Sequence, residues 1–131
     1  MGALASKEAQ EYDTEALVEA MFTGTRAALR PLYEKLLKIG IATGKDVKAC
    51  PCKTIVPLYR RHVFAQIKPA TNTRIDLGFA LKDTETPERL IDTGGFLKGD
   101  RITHRIPIER LTDIDTEVKY WLKIAYEMDV A

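Results

Sequence analysis

The spacing of apolar residues along this chain changes twice. Over residues 14 to 39 the period is helical. Ala16, Leu17, Ala20 and Met21 make one stripe, and Leu29, Leu32, Tyr33, Leu36, Leu37 and Ile39 make a second. Asp13 or Thr14 stands where a cap is needed, and acids follow in the first turn, where the helix dipole favours them. Thr23-Gly24-Thr25 separates the two predicted helices. Pro31 lacks a backbone donor, so the second helix, over about 26–39, kinks there or starts nearby, and Gly40 and Gly44 end it. From about residue 46 the period becomes two, and strands are predicted at 46–49, 53–60, 62–68, 73–81 and 101–108. Residues 82–100 read as a polar loop broken by Thr86-Pro87 and Gly94-Gly95, with one helical turn near Glu88-Arg89-Leu90. Asp113 or Asp115 then caps a last helix with Val118, Trp121, Leu122, Ala125 and Tyr126 on one face.

These elements predict an α+β fold. A flexible leader, residues 1–12, precedes one domain, residues 13–131. Short connections, among them the turn Pro69-Ala70-Thr71-Asn72, favour an antiparallel sheet of four or five strands. The N-terminal and C-terminal helices are expected on one sheet face, leaving the other open. Alternation points Val63, Ala65, Ile67, Ile75, Leu77, Phe79, Leu81, Ile102, His104, Ile106 and Ile108 inward. It points Phe64, Gln66, Lys68, Arg74, Asp76, Thr103 and Arg105 outward. The strand at 53–60 is apolar on both sides and cannot be oriented this way.

The formal net charge is +1, so bulk charge selects neither nucleic acid nor membrane. Its distribution is uneven. Residues 45–77 hold Lys45, Lys48, Lys53, Arg60, Arg61, Lys68 and Arg74 against only Asp46 and Asp76, while both ends of the chain are acidic. Such a field suits an anionic partner, or serves only to neutralise the acidic ends. No apolar run approaches a membrane span, and MGALASKEAQ has no hydrophobic leader, which predicts a cytoplasmic protein. Gly2 and Ser6 fit only the loose and common myristoylation pattern.

Few constellations carry chemistry. Cys50-Pro51-Cys52 places two thiols on one side of an extended segment beside Lys48 and Lys53, a redox pair or two idle cysteines. Zinc needs four ligands, and His62 and His104 stand at no ligand spacing from that pair, so no metal site is predicted. His104 falls on the apolar face of its strand as a core histidine, and His62 in a cationic turn, solvated or part of an anion site. Ser6, the only serine, lies in the leader, which removes a serine nucleophile. Thr23-Gly24-Thr25 and Thr93-Gly94-Gly95 lack the long phosphate-cradling loop, and no cofactor is predicted. What remains is the open face, with Lys53, Arg60, Phe64, Lys68, Arg74 and Arg105 as ligand-binding candidates.

The stretch from Asp46 to Leu81, with RLIDTGGFLKGDRITHRIPI and the closing EVKYWLKIAYEMD, resembles an uncharacterised bacterial family, domain of unknown function 5655. The resemblance covers residues 15–128. It is carried by Lys53-Thr54, Phe64-Ala65, Pro69, Asp76-Leu77-Gly78, Thr103-His104-Arg105 and Trp121-Leu122, and departs at Ile55, where members carry a large aromatic or Met. It implies the same fold and brings no activity or site residues. The chain is therefore expected to be a non-catalytic binding or interaction module for an anionic small molecule or protein partner. The alternatives are a single-stranded nucleic-acid binder stacking bases on Phe64, a thiol-dependent redox protein using Cys50 and Cys52, and a homodimer that covers Phe64.

Overall fold

The computed structural model describes residues 14–130. The leader and the Asp13 cap lie outside the described residues. Helix α1 covers 14–21, and a 3-10 segment, Gly24–Leu29, leads into α2, Arg30–Ile41. Pro31 occupies the first turn of α2, where its missing N–H costs nothing. The helix therefore starts there and does not kink. Gly40 lies inside α2 and does not end it. A Cβ at Gly40 would come within 2.6 Å of Leu58 Cδ1, so the missing side chain lets the helix sit directly on the sheet.

The strands are β1 (Lys48–Ala49), β2 (Val56–Tyr59), β3 (Val63–Pro69), β4 (Ile75–Phe79), β5 (Ile91–Asp92) and β6 (His104–Ile108). They form one sheet of six strands in the order β1-β2-β3-β4-β6-β5, every neighbouring pair antiparallel. The expected four or five strands become six because β5, two residues long, pairs with β6 inside the segment expected to be a loop. The one helical element in that segment, α3 (Gly95–Lys98), follows Gly94 and not Glu88. The last helix, α4 (Thr116–Met128), is capped by Asp115, whose carboxylate accepts the Val118 N–H at 3.2 Å. Asp113 caps the preceding 3-10 turn instead.

Helices α1, α2 and α4 cover one face of the sheet, and their apolar stripes merge with Val56, Leu58, Ile67, Ile75, Leu77, Phe79, Ile106 and Ile108 into one core. Phe64 belongs to that core and not to the open face. Tyr59 pairs with Val63 while Leu58 pairs with Ala65, so Phe64 is an extra residue in β3, a bulge. The bulge reverses the alternation. Phe64 is fully buried, its ring edge-on to Tyr126 of α4 at 5.6 Å, and Val63, expected inside, faces the open side. Thr103 is likewise inside. Its hydroxyl accepts the Leu81 N–H at 3.0 Å, which moves Ile102 to the open face above Gly78.

The end of α4 is tied to the turn between β2 and β3 through Asp129. This buried carboxylate accepts the backbone N–H groups of Arg61 at 3.0 Å and His62 at 2.8 Å. It also pairs with His62 Nδ1 at 2.7 Å and Arg101 Nη2 at 3.3 Å. Burial alone would raise the carboxyl's pKa. The His62 and Arg61 hydrogen bonds and the Arg101 charge outweigh it and hold the group below its usual value. The anion that the 60–62 turn holds is thus the protein's own.

Two measurements test this packing. Phe64→Ala should cost about 3–5 kcal/mol in denaturant unfolding, and Val63→Ala should cost about 1 kcal/mol or less. The reverse order would mean that no bulge forms. Asp129→Ala should cost about 2–4 kcal/mol at neutral pH, because two backbone donors and a charged partner lose their acceptor. The depressed carboxyl contributes fully above the unfolded aspartate value of about 3.9 and loses its contribution as pH falls through the lower folded value. The wild-type advantage should therefore persist at pH 5 and shrink only in stronger acid.

Candidate functional site

The helix-free face of the sheet holds a groove of about 630 Å³, within the range of small-molecule sites. Pairing defines its floor. Pro57, Gln66, Gly78 and Arg105 are successive partners across β2, β3, β4 and β6, so their side chains share one row on this face. Lys68 and Asp76 form the neighbouring row, and Tyr59 and Val63 lie beyond the bulge. From Lys68 to Val63 the floor runs about 13 Å, at some 3.3 Å per strand residue. The loop carrying Cys52 and Ile55 walls one side, and Thr93, Asp100, Arg101 and Ile102 wall the other. Gly78 leaves no side chain in the floor, and Ile102 Cγ2 stands 2.8 Å from where its Cβ would be.

The charges gather at the Lys68 end. Asp76 Oδ1 accepts from Arg74 Nε at 3.0 Å and from Arg105 Nη1 at 3.1 Å. Lys68 stands opposite Asp76 in the ladder and, among the described residues, makes no ion pair. Three cations thus surround one carboxylate, an excess of two positive charges. Asp76 also fixes Arg105 in place. A guanidinium carries five donors, so most of the Arg105 fork remains for a ligand. Arg101 is anchored at the far end, its Nε donating to the Val63 carbonyl at 2.7 Å.

The structure divides the sequence-predicted residues. Lys68 and Arg105 line the groove, and Arg74 borders it through Asp76. Arg60 is on the other side of the sheet, over the Tyr126 ring at 4.1 Å and donating to the Tyr126 carbonyl at 2.9 Å. The Tyr126 hydroxyl in turn donates to Asp46 at 2.5 Å, which raises the phenol's pKa and lowers the carboxyl's. Phe64 is buried beneath α4 and offers no stacking surface. Lys53 is exposed on the loop before β2 and is not among the groove's lining residues. Cys50 and Cys52 are free and exposed, and only Cys52 reaches the groove. His62 pairs with Asp129, and His104 is buried on the helix side.

Sequence reasoning missed Tyr59 and Arg101. The pairing of Tyr59 with Val63 would have oriented the first, had the bulge been legible. Arg101 lies outside any strand, so no alternation marks it. A larger depression of about 720 Å³ lies between α1 and α2. Its Arg30 and Glu34 pair with each other at 3.8 Å, leaving less convergent chemistry there.

Among the described residues, no three His, Cys, Asp or Glu side chains cluster as metal ligands, and no helix is long and apolar enough to cross a membrane. Neither the curated proteins nor the solved structures include a match to this chain. A family model matches residues 18–129, and the chain accordingly belongs to the family described as a domain of unknown function (DUF5655).

Proposed function

We propose that this protein is a non-catalytic binding module whose open-face groove holds a small carboxylate- or phosphate-bearing molecule. The observation that carries the reading is the cluster at one end of the groove: Lys68, Arg74 and Arg105 around the single carboxylate of Asp76. Asp76 orients the two arginines, and Lys68 and the remaining Arg105 donors meet the ligand's anionic group. Gln66 and Tyr59, further along the floor, supply polar contacts to the rest of the molecule. The same reading places the protein in the cytoplasm, which suits the exposed thiols of Cys50 and Cys52. Burial of Phe64 removes the stacking platform on which a single-stranded nucleic-acid reading leaned, and the apolar anchor of a dimer across this face.

Calorimetric titration at low salt with inorganic phosphate and with succinate tests the proposal. At least one should bind saturably, and Arg105→Gln should weaken that binding about tenfold or more, the loss of roughly one charged hydrogen bond. Arg74 still holds Asp76 in that variant, so the fold is kept. No saturable binding of either probe, or binding indifferent to Arg105→Gln, would remove the reading. A short oligothymidylate that binds instead, with affinity falling steeply as salt rises, would replace it with nucleic-acid recognition.

Cys52 gives an independent readout. In Cys50→Ser, a maleimide should modify Cys52 more slowly when the bound anion is present. In Cys52→Ser, modification of Cys50, which lies outside the groove lining, should be indifferent to the anion. Equal rates at Cys52 with and without ligand would place the binding elsewhere.

A further inference from the structure

A second site lies on the opposite side of β6 and shares no lining residue with the groove. His104 is 4% exposed. Its Nδ1 is 2.8 Å from the Thr103 hydroxyl. Among the described residues no group bonds its other ring nitrogen, yet no buried side-chain nitrogen or oxygen is left without a partner. Nε2 is therefore not sealed from solvent, and His104 lines a small cavity of about 130 Å³. An otherwise buried polar side chain thus borders a cavity and keeps one ring nitrogen that no described protein group bonds.

The surrounding bonds assign the proton. The Thr103 hydroxyl accepts from the Leu81 N–H at 3.0 Å and has one hydrogen to give. The alternative acceptor, the Phe79 carbonyl, is 3.4 Å away and already receives the Thr103 N–H at 3.0 Å. The 2.8 Å contact is the shorter, which favours the hydroxyl donating to Nδ1 and, in the neutral ring, a hydrogen on Nε2.

The walls select the complement. Asp92 is the β5 partner of His104, which puts both side chains on one face, and its Oδ1 is occupied by the Gly94 N–H at 2.7 Å. Asp83 and Lys82 come from the turn after β4, where Lys82 adopts a left-handed φ of 55°. Two carboxylates against one ammonium disfavour an anion, and a ring N–H disfavours a simple cation. The group that answers a donor and adjacent carboxylates without net charge is an amide: its oxygen accepts from His104 and its N–H donates to Asp83 or to the free oxygen of Asp92. At the rim Phe96 is 47% and Leu97 91% exposed, an apolar surface beside a polar cavity. We propose that this cavity binds the carboxamide group of a small apolar amide, its carbonyl on His104 Nε2 and its apolar part against Phe96 and Leu97.

Nitrogen-15 NMR of the protein labelled at histidine tests both steps. The free protein should show His104 protonated at Nε2; a proton at Nδ1 would overturn the assignment. Benzamide should then shift the His104 Nε2 signal saturably and bind at least about tenfold tighter than benzoate or benzylamine, the margin of roughly one hydrogen bond to a charged group. No saturable shift, or tighter binding of either charged probe, would overturn the proposal. His104→Phe keeps the ring volume and should abolish the benzamide response measured by ligand-observed NMR. Should that variant not fold, the exposed rim decides: Leu97→Asp with Phe96→Ala should weaken benzamide several-fold, and unchanged affinity counts against the site.

Discussion

One extra residue in β3 decides which side of this protein faces the world. Without the bulge at Phe64, strict alternation would put an aromatic ring on the open face and Val63 under α4. With it, a fully buried Phe64 meets Tyr126 edge-on and anchors the last helix to the middle of the sheet. The cost of the irregular ladder is repaid by burying a large side chain, worth about 1.5–3 kcal/mol. The open face loses the Phe64 ring that alternation would give it, and its floor is built from Pro57, Tyr59, Val63, Gln66 and Gly78, over which a groove forms. The position of the groove therefore follows from a packing decision made on the opposite face.

The basic centre of the sequence is divided by the same geometry. Arg60 and the backbone of Arg61 and His62 lie at the turn after β2. That turn folds back towards α4 and satisfies the Tyr126 carbonyl and the Asp129 carboxylate. The Arg60 charge and these two backbone donors hold the C-terminal helix to the sheet. Lys68, Arg74 and Arg105 gather on the face that the helices leave bare around one acid, Asp76, while Lys48, opposite Tyr59, shares that face outside the cluster. The field that seemed broad in sequence is narrow in space: an excess of two positive charges at one end of a groove.

The α+β class, the two flanking groups of helices and five of the strands were legible in the sequence, because long periodic segments report their burial directly. The sixth strand was not, since Ile91–Asp92 is too short to show a period. Lys68 and Arg105 were legible because their strands are regular where they sit, and Arg74 because it immediately precedes β4. Phe64 and Arg60 were not, because a bulge and a tight turn change direction without a distinctive residue to announce it. Gly40 misled for a related reason. A glycine at the end of a helical pattern usually marks a cap, but here it is the contact point of α2 with Leu58, and only the third dimension distinguishes the two.

Strand β6 joins the two halves of the functional picture. Successive residues of a strand face opposite ways, so His104 and Arg105, adjacent in sequence, serve the cavity on the helix side and the groove on the open side. The segment leading into the strand divides similarly: Gly94, Phe96 and Leu97 border the cavity, and Thr93, Asp100 and Ile102 wall the groove. It is held by short-range bonds, among them Gly94 N–H to Asp92 and Gly95 N–H to Thr93. Thr93 pairs with the Thr103 carbonyl, and the Gly95 carbonyl accepts from Asp100 N–H at 2.8 Å. Gly95 has no room for a side chain, because a Cβ would run into the Ile102 carbonyl. A short wall therefore contributes to both depressions, each residue by the side on which it lies. The two faces of this sheet are separate in chemistry and joined through ten residues of backbone.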